Sequence, residues 1–212
     1  MNTSQVPYAD SILLEFLEVT IHHVLFLKKI YPDSIFILQK KYGVPVHISR
    51  YPPLNEYINN SLLSMKELLQ QKQLRRVFIC FFDENCKLLE KMVFNVKQVF
   101  SDVEVNNADK LSDPYLTKLQ ESLRAVCLRL TVINTHTESL GENSTFQIHI
   151  ETTEAASATL AADTDHEQFP WIEMEEADLS QNPTTISLLP IRNIKSDLFE
   201  VELFYQKMDV TV

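Results

Sequence analysis

Residues 113–132 of the 212-residue chain read DPYLTKLQESLRAVCLRLTV, and we expect the rest of the chain to pack around the helix that they predict. Asp113 followed by Pro114 is a start signal, because the carboxylate can cap free N–H groups and proline is tolerated at the first helical position. The apolar residues recur with helical spacing and form one stripe, made of Leu116, Leu119, Leu123, Val126, Cys127 and Leu130. The segment therefore predicts the central helix of one compact α+β domain.

Apolar runs elsewhere predict a sheet and two further helices. Helices are expected over residues 11–31, capped by Asp10 or Ser11, and over residues 54–69. Strands are predicted over residues 77–83, 92–96 and 146–150, over the short runs 35–38 and 44–48, and over the final runs 186–191 and 198–205. The strands at 77–83 and 92–96 form a hairpin, and Gly43 turns the chain between the two short runs. The long strands give the predicted helices at 11–31 and 113–132 a surface on which to pack.

The composition changes after residue 153. Residues 154–168 are small, polar and acidic, with five alanines and no apolar periodicity, so they predict a loop. The sequence FPWI at 169–172 holds the only tryptophan, and residues 173–178 are acidic again. Such an apolar cluster either pins the segment to the core or forms an aromatic wall for a partner, and both can hold at once. We expect one domain with a loop-rich end: domain 10–205, core 10–153, lobe 154–205 and tail 206–212.

The charge balance bears on the class of partner. The chain has 19 Lys and Arg against 29 Asp and Glu, a net charge of −10 and a pI near 5.1. Because the phosphate backbone attracts basic surfaces, these values weigh against direct binding of nucleic acid. Charged residues within 11–31 argue against a membrane span, and the N-terminus lacks the pattern of a signal peptide. We therefore expect protein partners, with neither direct nucleic-acid binding nor a membrane.

Few residues are placed for chemistry. The two glycines, Gly43 and Gly141, are too far apart to cradle a phosphate. His22 and His23 are adjacent on a predicted helix, so their side chains diverge by about 100°, and we expect one to be partly buried and the other solvated. His47 lies on a predicted strand and is expected on its exposed face. No metal site and no cofactor follow from this pattern.

The cysteines indicate core positions in a reducing compartment. Cys80 and Cys127 lie in apolar segments, and three cysteines leave one over if they pair. Cys127 beside a histidine would make a nucleophile pair, but a small core residue on a buried helix face is the favoured interpretation. The sequence therefore predicts a protein that is not an enzyme.

Several short stretches, taken in order, resemble the HORMA-domain family. They are EFLEV at 15–19, KKYGVPV at 40–46, LNEYI at 54–58, LRA at 123–125 and FPWI at 169–172. The resemblance implies a HORMA fold, in which a mainly antiparallel sheet is backed by three helices and followed by a mobile C-terminal safety-belt lobe. In that family the lobe wraps over an extended partner peptide that adds to the sheet edge, and its strands pair again on the far side.

The same resemblance implies roles for residues by their position. It implies that the partner peptide is bound by Tyr57, Phe169, Pro170 and Trp171. It implies that Arg124, on the central helix, takes part in dimerisation. It implies a second partner surface, formed by Leu188, Glu202 and Phe204. The family pattern has glutamine at position 202 and tyrosine at position 204, so this surface gains a charge and lacks a phenol hydroxyl.

Within the family, the matching residues resemble the accessory subunits of DNA polymerase zeta, which implies a non-catalytic adaptor in translesion synthesis and DNA repair. The implied partners are the catalytic subunit of DNA polymerase zeta, the translesion scaffold deoxycytidyl transferase, and a second HORMA protein in a homodimer or heterodimer. The implied location is the nucleus, with the cytoplasm as a second place. Two alternatives stay open: a spindle-checkpoint HORMA protein that binds mitotic regulators, and an enzyme built around Cys127.

Overall fold

The computed structural model describes residues 6–97, 113–136, 140–141, 143–162, 169–173, 186–196 and 199–208. The helices and strands in chain order are α1 Val6–Leu27, β1 Phe36–Lys41, β2 Val44–Ser49, α2 Pro52–Gln70, β3 Leu74–Phe82, β4 Leu88–Lys97, α3 Asp113–His136, β5 Thr145–Thr152, α4 Glu154–Ala162, β6 Ile186–Lys195 and β7 Glu200–Met208. All the predicted strands are confirmed, most with longer bounds.

The main sheet has five strands in the order β5-β3-β4-β7-β6, and every neighbouring pair is antiparallel. The register places Ile79 of β3 between Met92 of β4 and Ile148 of β5. The C-terminal hairpin β6–β7 pairs with β4, on the side of the sheet away from β5. Strands β1 and β2 form a separate hairpin that packs on α1. The outer edge of β5 is therefore one boundary of the described sheet.

The core lies between one face of this sheet and the helices. On β7, Val201, Leu203 and Tyr205 are buried and alternate with half-buried residues. Five of the six residues predicted for the apolar stripe of α3 are confirmed as buried, namely Leu119, Leu123, Val126, Cys127 and Leu130, while the side chain of Leu116 lies outside the described part. The helix contacts α1, β2 and β6, and its buried residues share one core with those of β3 and β4. Among the described helices, none has both the length and the apolar character that crossing a membrane requires.

Helix α1 begins and ends earlier than the sequence indicated. It starts at Val6, so Asp10 lies inside the helix as a buried residue and the predicted cap is wrong. It ends at Leu27 in a left-handed turn at Lys29, which has a φ of 57°. The Ile30 N–H donates to the Leu25 carbonyl at 3.2 Å, which closes a Schellman turn. Because lysine rather than glycine occupies the left-handed position, the sequence carried no signal for this end.

The segment after residue 153 holds a helix that the sequence did not predict. Helix α4 begins with the N–H groups of Ala156 and Ser157 donating to the Thr153 carbonyl at 3.0 Å. Alanine has the highest intrinsic helix propensity, so this short helix forms without a broad apolar stripe. The predicted loop is therefore wrong for 154–162, while 163–168 lie outside the described residues. The described part of the chain has α4 in addition to the three long helices that the family resemblance implied.

The β1–β2 turn confirms the role predicted for Gly43. Tyr42 and Gly43 have φ values of 52° and 77°, which is the arrangement of a two-residue type I′ hairpin turn. Glycine adopts this conformation without strain, whereas Tyr42 is held in it by packing. The Tyr42 ring centroid lies 6.5 Å from that of Phe16 on α1. The turn thus fixes the β1–β2 hairpin against the first helix.

Both adjacent histidines of α1 are buried, so the prediction that one of them is solvated is wrong. His22 is 2% exposed and His23 is 3% exposed. Their Nδ1 atoms accept the backbone N–H groups of Ser49 and His47 on β2, each at 3.4 Å. Helix α3 closes the other side, where His23 Nε2 lies 3.3 Å from the Thr131 hydroxyl. Both side chains therefore contact β2, and His23 also contacts α3.

The histidine at position 47 is not a simple exposed residue either. Its ring stacks on that of Phe26, with centroids 3.4 Å apart, and faces that of His23 at 5.9 Å. It is half-buried between α1 and β1. These three histidines therefore join α1 to β2 and act as packing residues.

We predict that acid destabilises the protein through His22 and His23. Burial lowers the pKa of both to about 4, against 6.5 in an unfolded chain. As the pH falls below 6.5 the unfolded chain takes up protons first, so stability is complete above that pH and falls until about pH 4. Each histidine should remove about 2 kcal/mol by pH 5. Urea denaturation between pH 7.5 and 5 measures this.

The matched control replaces His22 by asparagine, whose side-chain oxygen can accept the Ser49 N–H without titrating. In His22→Asn the unfolding free energy should fall by about 2 kcal/mol less between pH 7.5 and 5 than in the parent protein, because one of the two buried histidines is absent. An unchanged pH dependence in the variant would contradict the assignment.

Candidate functional site

The outer edge of β5 is a regular, unpaired strand edge among the described residues. β5 pairs with β3 on its inner side, without irregularity between positions 145 and 151. In an antiparallel edge strand, alternate residues direct both N–H and C=O outwards. The Ile148 N–H donates outwards, to the Tyr57 hydroxyl at 3.2 Å, so Phe146 and Ile150 belong to the same outward row. Such a row can pair with an extended segment of another chain.

The opposite edge of the sheet is protected. β6 carries Pro190, which has no N–H, and the ladder with β7 shifts register between Pro190 and Arg192. Proline, bulges and charged residues are the usual means of blocking a sheet edge. β5 reads TFQIHIET, and over the regular stretch from 145 to 151 it contains none of these except Glu151, the residue before its last. The two edges therefore differ, and β5 is the one suited to take another strand.

Tyr57 connects this edge to the C-terminal part of the chain. It is half-buried on α2, and its ring lies 5.8 Å from Phe146 and 5.6 Å from Phe169. Burial raises the pKa of its hydroxyl, although the bond from Ile148 opposes the shift, so the phenol stays protonated at neutral pH. The sequence placed Tyr57 beside the apolar stripe and near the surface, and this is confirmed.

Residues 169–173 dock through alternate side chains. The Phe169 and Trp171 rings lie 4.7 Å apart, and the Trp171 Nε1–H donates to the Ser64 hydroxyl on α2 at 2.7 Å. Pro170 faces solvent, and Ile172 is 89% exposed. The sequence treated FPWI as one apolar cluster, whereas only two of its four side chains pack on the body of the protein. The segment is pinned to the body of the protein, as one of the two expectations has it, and its role as an aromatic wall for a partner stays a prediction.

The aromatic side chains form a continuous row beside β5. The ring of Tyr31, at the end of the α1 turn, lies 6.2 Å from Phe146 and extends the row. We call Trp171, Phe169, Tyr57, Phe146 and Tyr31 the aromatic row. All five are half-buried, so each is partly exposed to solvent. Aromatic faces beside a strand edge that has no strand partner are suited to bind an extended segment with apolar or proline residues.

The family of the chain follows from its sequence. The family model for the HORMA domain matches residues 11–188. The chain belongs to the HORMA domain family. It is 32% identical over 207 residues to the mitotic spindle assembly checkpoint protein MAD2B of Rattus norvegicus, covering 98% of this chain and 93% of that protein. It is 25% identical over 191 residues to DNA polymerase zeta subunit 2 of Drosophila melanogaster, covering 90% and 93%.

Solved HORMA structures agree in fold. A chain of the mitotic checkpoint complex superimposes with a TM-score of 0.73 at 18% identity, covering 93% of this chain and 97% of that one. HTP-2 bound to HTP-3 motif-6 gives a TM-score of 0.70 at 10% identity, covering 96% and 92%. The predicted HORMA fold is therefore confirmed. The division into core 10–153, lobe 154–205 and tail 206–212 stays a prediction.

Arg124 lies on α3, away from the aromatic row. It is exposed, as the sequence indicated. Leu128 and Val132 follow it by one and two helical turns and are also exposed, at 48% and 53%. These two leucine and valine side chains were not singled out from the sequence, although their spacing from Arg124 was a usable signal. The role of Arg124 in dimerisation with a second HORMA protein stays a prediction.

The three residues of the predicted second surface share one face of the hairpin. Phe204 pairs with Pro190, and Leu188 pairs with Gln206, so they lie opposite to the buried face of β7. Glu202 accepts hydrogen bonds from Lys97 and from Asn95 on β4, each at 2.9 Å, and these bonds lower the pKa of its carboxyl. The charge at position 202 is thus paired within the sheet. The surface lies at the far side of the sheet from the aromatic row.

The surroundings of the buried cysteines do not favour the alternative of an enzyme built around Cys127. Cys127 packs with Val19, Val44 and Val46, and burial raises its pKa to about 11. The sequence did not predict that Cys80 Sγ lies 3.8 Å from His149 Nδ1, but burial raises the Cys80 pKa to about 12. Both groups are therefore protonated thiols at neutral pH, which are poor nucleophiles. Within the described ranges, no three His, Cys, Asp or Glu side chains are grouped to hold a metal.

Proposed function

We propose that this protein is a non-catalytic adaptor that clamps an extended segment of a partner protein along the outer edge of β5. The single observation that carries the proposal is the unpaired β5 edge bordered by the aromatic row, with Trp171 fixed to α2. HTP-2, which shares the fold, is bound to a motif of HTP-3 in a solved structure, which supports the binding of a partner's segment here. Main-chain hydrogen bonds to β5 would give affinity, and aromatic contacts would select the segment.

The partner that we propose is the catalytic subunit of DNA polymerase zeta, which makes the protein an accessory subunit in translesion synthesis and DNA repair. Relatives named as subunits of DNA polymerase zeta in Drosophila melanogaster and Schizosaccharomyces pombe support this choice. A net charge of −10 leaves contact with DNA to the partner. A nuclear location follows from this role.

A spindle-checkpoint adaptor is the second candidate. It is favoured by the name of the MAD2B relatives and by the similarity in fold to a chain of the mitotic checkpoint complex. The two candidates share the site and differ only in the segment that it binds. Two further partners are proposed only because residues of this chain match family positions. A second HORMA protein would bind at Arg124, and the translesion scaffold deoxycytidyl transferase would bind at Leu188, Glu202 and Phe204.

Hydrogen exchange with synthetic peptides tests the proposed function. Overlapping 20-residue peptides that tile the catalytic subunit of DNA polymerase zeta of the same species are added to the full chain. We expect one tight-binding peptide to increase protection of β5, of residues 169–173 and of the hairpin β6–β7, because opening then requires breaking the new ladder. Little change is expected in α3.

A second set of peptides, tiling spindle-checkpoint partners, separates the two candidate functions. Tight binding in this second set alone would favour the checkpoint candidate. Protection that increases at β6 or α3 but not at β5 would contradict the β5 edge as the binding site for either partner.

A further inference from the structure

Ser64 is one of two buried serines of α2, the other being Ser61. Ser64 is 8% exposed and belongs to the buried side of the helix, together with Leu68 one turn later. Its oxygen accepts the Trp171 Nε1–H at 2.7 Å. The two residues are 107 positions apart in the sequence. The contact therefore ties the body of the protein to the segment that borders the β5 edge.

The position of Ser64 on α2 aligns it with the aromatic row. Tyr57 and Ser64 are seven residues apart, which is about two helical turns or roughly 10.5 Å along the same side of the helix. Phe169 packs on Tyr57, and Trp171 reaches Ser64. The segment 169–171 thus runs along one side of α2, held at two points.

Each member of this hydrogen bond satisfies the other. The indole N–H is a donor only and seeks a partner wherever the ring is removed from water. A buried serine hydroxyl is equally unfavourable without a partner. Ring packing on Phe169 alone would allow the Trp171 ring to rotate, whereas a bond of 2.7 Å to a helix residue fixes the orientation of the ring.

We infer that Ser64 is a positioning residue for the proposed binding site: its hydroxyl fixes the Trp171 ring and so sets where residues 169–173 pass along the β5 edge. The effect of Ser64 on partner binding rests on the proposed function, whereas its effect on the orientation of Trp171 does not. The hydrogen bond itself is present in the free protein. Ser64 acts through Trp171 and does not have to contact the bound segment.

The first test uses Trp171 as the only tryptophan of the chain, so its fluorescence reports this site alone. Ser64→Ala should shift the emission of the free protein to longer wavelength and increase quenching by acrylamide. Ser61→Ala is the matched control, because Ser61 is buried on the same helix but its hydroxyl donates to the Tyr57 carbonyl at 2.8 Å. It should leave both signals unchanged. Unchanged fluorescence in Ser64→Ala would overturn the inference.

The second test is a double-mutant cycle on binding of the tightest peptide from the tiled set. Ser64→Ala should weaken binding about fivefold to tenfold, the effect of one hydrogen bond. In a Trp171→Phe background, which keeps a ring but lacks the N–H, Ser64→Ala should have no further effect. Independent, additive effects would show that Ser64 does not act through Trp171 and would also overturn the inference.

The two tests separate this inference from the proposed function. If no peptide binds at the β5 edge, the proposed function fails, and the fluorescence of the free protein still decides whether Ser64 positions Trp171. Ser64→Ala and Ser61→Ala should have the same melting temperature. A general loss of stability would then not explain the changed fluorescence or the weaker peptide binding of Ser64→Ala.

Discussion

Glu90→Ala should reduce the unfolding free energy by about 3–5 kcal/mol, because it leaves a buried ammonium without its counter-ion. Glu90 on β4 lies 2.7 Å from the Lys28 Nζ, and both side chains are about 95% buried, with exposures of 3% and 5%. Lys28 Nζ also donates to the Tyr205 hydroxyl of β7 at 2.6 Å. Burial lowers the Lys28 pKa, and Glu90 opposes that shift. Guanidinium denaturation at pH 7.5 measures the loss.

A matched control is Glu15→Ala on α1. Glu15 also pairs with a lysine at 2.8 Å, that of Lys41, but the two side chains are 48% and 35% exposed. Solvent screens such a pair, so its removal should cost about 1 kcal/mol or less. If Glu90→Ala were as mild as this control, Lys28 would not depend on Glu90 for its burial.

The double replacement Lys28→Met with Glu90→Leu refines the prediction. It removes both charges and keeps the volume, so it should recover most of the loss, since a buried ion pair seldom exceeds an apolar pair in stability.

Tyr205→Phe should cost less than Glu90→Ala, because Lys28 keeps its counter-ion and loses one hydrogen bond. Lys28, Glu90 and Tyr205 together join the end of α1 and β4 to the C-terminal hairpin. The amide hydrogens of the hairpin should therefore exchange faster with solvent in Glu90→Ala.

Trp171→Ala should weaken binding of the partner segment by about 2 kcal/mol or more, which is roughly 30-fold, while the domain stays folded. The ring packs on Phe169 and bonds to Ser64, and it is the last member of the aromatic row, which reaches the β5 edge through Tyr57. Its removal takes away both aromatic surface and one of the two points that hold residues 169–171. Fluorescence polarisation with the tightest tiled peptide measures the change.

Ile172→Ala is the control for this substitution. Ile172 is the next residue in the same segment but is 89% exposed and directed away from the body of the protein. Its truncation should leave the affinity within about twofold of the parent. Normal binding by Trp171→Ala would mean that the aromatic segment only pins the chain, and equal losses in both variants would point to a general effect on the segment.

The periodic segments were predictable because burial on one face leaves a repeating pattern. The stripe of α3, the β3–β4 hairpin and the alternation of β5 follow directly from residue spacing. Family resemblance added the HORMA fold and singled out Tyr57 and Trp171, which the structure brings to one edge through Phe169. It did not single out Ser64, since a serine in an amphipathic helix carries no signal until its partner is known.

The failures have local causes. Helix α1 ends with lysine in the left-handed position, where glycine is the usual signal. Helix α4 forms from alanine propensity without an apolar stripe. His22 and His23 are both buried because β2 donates backbone N–H groups to each of them and α3 covers His23 as well.

The sequence by itself determined which face of each long helix and strand is buried, because that depends only on neighbours a few residues away. Tertiary structure alone decided which elements meet. Lys28 reaches Tyr205 across 177 positions, and Trp171 reaches Ser64 across 107. A buried charge or a buried indole N–H must find a partner, but the sequence does not say which one, because the partner is supplied by the packing of distant elements.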